Sequence, residues 1–160
     1  MLASPYPWSI VHRIAHRPTV GLLMDLCEEN YQRLIRLAPQ LPVLHGGQAS
    51  CVGDGLELLL NVVEQTPYTT LIRLSYHFGE GTGLDPDALI RIYHDAVQAE
   101  IVELRQRALP LNQGFERPTL EQKWRANLFL SKWLSYCIVQ GHGFSSARPD
   151  SGLAPAGTPR

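Results

Sequence analysis

Lysine is almost missing from this 160-residue chain: Lys123 and Lys132 are the only lysines among 14 basic residues, the rest being arginine. Arginine's planar fork suits bidentate carboxylate or phosphate contacts better than lysine's point charge, although coding bias in a GC-rich genome explains the same imbalance. Cysteine is scarce as well. Cys27, Cys51 and Cys137 stand far apart with no C-x-x-C pair, which argues against a disulfide framework or a cysteine-rich zinc site and suits a reducing cytoplasm. No uncharged apolar run approaches the roughly 20 residues of a membrane-spanning helix. A charge excess is also lacking, since 14 Lys and Arg against 15 Asp and Glu leave a net charge of −1. Nonspecific nucleic-acid binding draws on clustered cations, so this balance disfavours it. There is no G-x-S-x-G motif, no P-loop and no Cys beside a His.

What is present, 44% apolar and 18% charged residues, is the composition of a globular chain with one core. The expected layout is an N-terminal arm over 1–17, one α+β domain over 18–143 and a Ser/Pro/Ala/Gly tail over 144–160. In the arm, His12 and His16 have the spacing of a zinc-binding H-E-x-x-H, but Arg13 takes the place of the Glu and no third ligand is evident, so no metal is expected. The arm's basic residues are followed by no signal-peptide apolar stretch, which predicts a cytoplasmic protein; a transit peptide or a misplaced start upstream of Met24 is the alternative.

Leu23, Leu26, Cys27, Asn30, Leu34 and Leu37 recur at three- and four-residue steps, with Asp25, Glu28, Glu29, Gln32, Arg33 and Arg36 mostly on the other side, predicting an amphipathic helix from Thr19 to Ala38 that Pro39 ends. A short edge strand is expected over Gln48–Val52. Two longer runs, Leu56–Gln65 and Tyr68–Phe78, flank Thr66-Pro67 as a hairpin. In the second of these, Ile72, Leu74, Tyr76 and Phe78 share the core side and Leu71, Arg73, Ser75 and His77 the other. Gly79 to Asp87 reads as a loop. From Leu89 onward the apolar parity changes near Asp95, which predicts a bent strand with a β-bulge, the rival being a helix capped by Asp95 and running to Arg107. Thr119-Leu-Glu-Gln122 is a capping box for a long final helix, with Gly141 and Gly143 at its end. Together these predict an antiparallel sheet of four to five strands with the N-terminal and C-terminal helices packed on one face.

Four segments carry a family resemblance: Leu26-Cys-Glu-Glu-Asn-Tyr31; Tyr68-Thr-Thr-Leu71; Arg91-Ile-Tyr-His-Asp-Ala96 with Ala99-Glu100; and Asn127-Leu-Phe-Leu130 with Trp133-Leu-Ser-Tyr-Cys137. In this order and spacing the chain resembles the YqiB-like family of small bacterial proteins, over roughly residues 20 to 143. The resemblance implies a shared fold and brings no activity, ligand or catalytic residue. Where family members carry Tyr-x-x-Pro-Asn and then His-Gln before Asp-Glu-Lys, this chain has Leu109-Pro-Leu-Asn112, Pro118-Thr119 and Glu121-Gln-Lys123.

The most suggestive chemistry is Arg91, Tyr93, His94 and Asp95. A His oriented by Asp95 or Glu100, beside an arginine anion clamp, holds the ingredients of acid-base catalysis on a phosphorylated or nucleotide-like metabolite. Adjacent strand residues face opposite ways, so His94 and Asp95 act in a site only if a bulge turns them together or if each finds a partner elsewhere, such as Glu100, Arg73 or His77. The competing reading is a structural bend with a cross-strand Arg–Glu pair. The leading expectation is an accessory or regulatory module binding a protein partner or small anionic ligand near Arg73, Arg91 and His94, with Tyr93 as a further contact. A hydrolase or transferase and an RNA-binding module are the alternatives, and no cofactor is indicated. Gly79-Glu-Gly-Thr-Gly83 reads as a flexible loop. Trp124, Phe129, Trp133 and Tyr136 form either an exposed aromatic strip on the last helix, with Trp124 and Trp133 as candidates for a partner or homodimer surface, or the faces of a helix sandwiched between the sheet and the first helix.

Overall fold

The computed structural model describes residues 18–53, 56–78, 83–106 and 118–144. The expected arm with its His12/His16 pair, the Gly79–Thr82 segment, the connection over 108–117 and the tail beyond 144 lie outside these residues.

Helix α1 spans Val20–Leu37, and its first turn is capped by Thr19, whose Oγ1 accepts the Leu22 N–H at 3.1 Å. Such a cap satisfies an amide that the helix cannot, and is worth about 1 kcal/mol. Leu26, Cys27, Asn30, Leu34 and Leu37 are buried as the three-and-four spacing predicts, and Arg33, placed by the same spacing among the polar residues, is buried with them. After Pro39 a short 3-10 turn over Leu41–Val43 leads into the sheet.

The strands are β1 (Gly47–Val52), β2 (Leu56–Gln65), β3 (Thr69–Phe78), β4 (Leu84–Tyr93) and β5 (Gln98–Arg105), and every neighbouring pair is antiparallel in the order β1-β2-β3-β4-β5. The predicted central hairpin is β2–β3, and the short strand before it is an edge, as expected. β4 begins at Leu84, so the last four residues assigned to a loop are in the sheet. Residues 95–106 are neither a helix nor the continuation of one bent strand, and Arg107, where the expected helix would have ended, lies outside the described residues. Tyr93 pairs with Gln98, and His94–Val97 form a tight turn closed by the Val97 N–H on the His94 carbonyl at 3.3 Å. Val97 takes φ 56°, a left-handed conformation that a β-branched residue adopts only under constraint. The parity change is therefore a chain reversal. The bulge lies further on, where Ile90 pairs with Ile101 and Leu89 with Glu103, leaving Val102 unmatched.

Helix α2 spans Leu120–Gln140, and its capping box is complete: Thr119 Oγ1 accepts the Gln122 N–H and Gln122 Oε1 accepts the Thr119 N–H. Both helices cover one face of the sheet, α1 packing against α2 and over β5. Leu58, Leu60, Ile72, Leu74, Ile90, Ile92 and Leu104 meet Leu34, Leu130 and Leu134 in the single large core. Each of these fully buried side chains contributes about 1.5–3 kcal/mol relative to exposure. Among the described residues nothing packs on the opposite face of the sheet, and no helix is long and apolar enough to cross a membrane.

Candidate functional site

Strand parity separates the residues that the sequence placed in one group. Odd-numbered positions of β3 and β4 point away from the helices, so Arg73, Arg91 and Tyr93 stand on the uncovered face, while His94 follows Ile92 onto the core side. Tyr31 from α1 shares a hydrogen bond of 3.2 Å with His94 Nδ1, and Thr70 from β3 shares one of 2.7 Å with Nε2. Thr70 in turn donates to Gln65, whose amide donates to the Leu41 and Leu44 carbonyls. Both imidazole nitrogens are thus engaged by neutral hydroxyls, and burial holds the His94 pKa below its ordinary value against the weaker opposing pull of Asp95. Asp95 is exposed in the turn and does not orient the ring.

On the open face Arg73 is engaged by Asp87 at 3.2 Å and Glu103 at 3.5 Å, and Arg105 approaches the same two carboxylates at 3.8 Å. Ser75 Oγ donates to Asp87 Oδ1 at 2.8 Å. Such part-exposed pairs fix side-chain directions more than they stabilise, at about 0–1 kcal/mol each. Arg91 stands opposite Glu100 in the register yet forms no ion pair among the described residues. Its neighbours on this face are Leu71 in β3 and, one pleat along, Tyr93.

A second bridged histidine escaped the sequence reading. The glycine at 141 takes φ 97°, closing α2 with its N–H on the Ile138 carbonyl and the His142 N–H on the Cys137 carbonyl. That reversal swings His142 under the sheet, where Nδ1 meets Ser50 Oγ of β1 at 2.9 Å and Nε2 meets the Tyr76 hydroxyl of β3 at 3.1 Å. Ser50 Oγ also accepts the Gly143 N–H at 3.1 Å. Burial lowers the His142 pKa against the weaker opposing effect of its hydrogen bond to Ser50, and burial raises that of Tyr76 to about 12. The sequence signal was a histidine framed by two glycines directly after a helix.

The aromatic strip expected on α2 is corrected by burial: Trp124 is 7% exposed, packed with Leu26, Leu22 and Leu128, and Trp133 is 6% exposed in the main core. Of the four aromatics of the expected strip, Tyr136 is exposed, as is Val139 beside it. Between the helices lies a polar seam. Asn30 donates to the Asn127 carbonyl, Arg33 Nε to Ser135 Oγ, and Asn127 Oδ1 accepts the Ile101 N–H of β5 at 2.9 Å. Among the described residues no three His, Cys, Asp or Glu side chains converge as metal ligands. Cys27 and Cys137 are buried thiols with pKa values raised to about 12, which keeps them protonated and inert.

The protein family described as "Protein of unknown function (DUF1249)" matches residues 33–143, from the middle of α1 through all five strands to just beyond α2. The chain belongs to this family. Family relatives named "Uncharacterized protein YqiB" in Escherichia coli K12, O6:H1 and O157:H7 are each 30% identical over 132 residues, covering 79% of this chain and 93% of the relative. No solved structure matches. The family match takes in both faces of the sheet and the Ser50–Tyr76–His142 cluster, but begins two residues after Tyr31.

Proposed function

We propose that this family member is a binding module that takes a protein partner on the open face of its sheet, with Arg91 and Tyr93 as the anchor. The observation that carries this is the contrast between the three arginines of that face. Arg73 and Arg105 are tied to Asp87 and Glu103, whereas Arg91 is left without an ionic partner among the described residues, beside Tyr93 and Leu71. Arginine and tyrosine flanked by aliphatic area are the residue types that dominate protein interfaces. A small free anion fits this surface less well, because among the described residues Glu57, Glu64, Asp87, Glu100 and Glu103 outnumber the arginines there. The acid-base reading gains no support, since His94 and Arg91 lie on opposite sides of the sheet and both nitrogens of His94 are hydrogen-bonded.

The test is site-specific photo-crosslinking in cells, with a photoreactive residue at Leu71 on the open face or at Val139 on the helical side. Discrete cross-linked species from position 71 alone, lost on Arg91→Ala, are expected. No species from position 71, or species that Arg91→Ala leaves untouched, would overturn the proposal. So would a thermal shift with nucleotides or phosphorylated metabolites that disappears in Arg91→Ala, which would restore the small-anion reading.

A further inference from the structure

The two edges of the sheet are treated differently. β5 carries Glu100, Glu103 and Arg105, is interrupted by the Val102 bulge, lies under α1, and has its Ile101 N–H taken by Asn127. Charge, bulges and cover are the means by which proteins blunt an exposed strand edge. β1, Gly47-Gln-Ala-Ser-Cys-Val52, has no charge, no proline and an unbroken register with β2, and among the described residues no strand or helix lies along its outer edge.

The phase of its free hydrogen-bonding groups follows from one contact. Gly46 and Val62 lie opposite each other in continuation of the β1–β2 register, and the Val62 N–H donates to the Gly46 carbonyl at 2.8 Å. Opposite residues in an antiparallel ladder alternate between pairs that exchange both bonds and pairs that exchange none. Gln48, Ser50 and Val52 therefore turn their backbone groups toward β2, and Gly47, Ala49 and Cys51 turn theirs outward. The same three residues are exposed on the open face of the sheet.

We infer that β1 pairs with β1 of a second copy of this chain, antiparallel about a two-fold axis at Ala49. In that register Ala49 faces Ala49 of the copy and Gly47 faces Cys51, so each pair of outward residues exchanges two N–H···O bonds. The side chains fit the same axis. Leu59 stands beside Ala49, which makes Leu59–Ala49–Ala49–Leu59 one continuous apolar row across the junction, and no charged residue of either β1 meets a like charge. A depression of about 330 Å³ lined by Gly47, Gln48, Ala49, Leu59, Leu60 and Asn61 lies at this edge, so the two copies join their depressions side by side. The small outward residues give little with which to select a foreign peptide, whereas symmetric pairing satisfies the edge without any.

Sedimentation equilibrium on the full chain tests the pairing. The expected result is a concentration-dependent dimer of twice the 17.9 kDa chain mass. Ala49→Lys sets like charges face to face at an exposed position and weakens the dimer ~10-fold or more, with an unchanged circular dichroism melt of the monomer. Ala49→Cys in a Cys51→Ser background gives the direct geometry, because paired Cα atoms ~5.5 Å apart lie within disulfide reach. Mild oxidation then links the copies faster than Tyr68→Cys in the same background. A monomer at every concentration, a dimer indifferent to Ala49→Lys, or equal cross-linking rates would each overturn the inference.

Discussion

Asn127 is where the two helices and the far edge of the sheet are tied together, and its replacement puts a number on that tie. Its side chain is 1% exposed, accepts the Ile101 N–H at 2.9 Å and donates to the Lys123 carbonyl at 2.8 Å. Ile101 is itself buried, on a strand that is an edge of the sheet among the described residues, with no further strand there to take its amide. In Asn127→Leu the volume is nearly kept while the acceptor is removed, so the dominant cost is an unsatisfied buried N–H, about 1–3 kcal/mol. The Lys123 carbonyl keeps its place in the helix ladder and adds little. Asn127→Ala adds a small cavity and destabilises by about 2–4 kcal/mol. For a chain of this size each kcal/mol lowers Tm by about 2–4 °C, so Asn127→Leu is expected about 4–8 °C below the parent at its central value of about 2 kcal/mol. Urea unfolding gives the free energy, and amide hydrogen exchange at Ile101 reports the bond itself, with exchange accelerated in both variants. If Asn127→Leu matches the parent in stability and leaves the Ile101 amide protected, the amide has another partner and the reasoning fails.

Two further outcomes follow from the bridged histidine and the glycine that delivers it. Gly141→Ala introduces a Cβ into open space but holds an L-residue at φ 97°, costing about 1–2 kcal/mol, whereas Gly143→Ala, with a normal φ and equally open space, leaves the melting temperature unchanged; equal effects at the two sites would refute a conformational cause. Burial lowers the pKa of His94 and His142 below the 6.5 of a free imidazole, so the unfolded chain binds the extra protons. Their contribution to stability is complete above about pH 6.5 and is lost as pH falls through the lowered folded values. The urea midpoint should fall between pH 7.5 and 5, with a flatter profile for the double variant His94→Gln, His142→Gln; parallel profiles would show that other groups carry the dependence.

The fold was largely legible because its signals are local. Thr119 caps a helix, Thr66-Pro67 turns a hairpin, and alternation in β3 assigns its two faces. The misreadings occurred where a local signal has two physical causes. A parity change near Asp95 is produced by a bulge or by a tight turn, and the turn requires Val97 to take a left-handed conformation that no propensity would assign to valine. Arg33 reads as solvated on a helical wheel because nothing in α1 announces that Ser135, about a hundred residues on, supplies the hydroxyl that its Nε meets. The candidate site failed in the same way. Arg91, Tyr93 and His94 are contiguous in sequence, and contiguity on a strand separates side chains to opposite faces. His142 belongs with Ser50 and Tyr76 only through the sheet, so no spacing within the chain exposes that cluster.

The two histidines share an arrangement that bears on function more than either does alone. Each imidazole lies on the core side of the sheet between a tyrosine hydroxyl and a serine or threonine hydroxyl, His94 between Tyr31 and Thr70, His142 between Ser50 and Tyr76. A general base needs a ring nitrogen aimed at a substrate, and here each nitrogen already faces a protein hydroxyl. Freeing one means breaking its hydrogen bond to Tyr31 or Thr70, or to Ser50 or Tyr76. These rings therefore act first as ties between elements that no strand pairing joins, at opposite ends of β3. With the histidines so engaged, and with Arg73 and Arg105 tied to Asp87 and Glu103, Arg91 is the arginine of the open face without an ionic partner among the described residues, and in the proposed reading it meets the partner together with its neighbours Tyr93 and Leu71. A lone cation beside an aromatic ring and an aliphatic side chain recognises a surface, which is why the partner reading rests on Arg91 and why its loss should remove binding while leaving the fold intact.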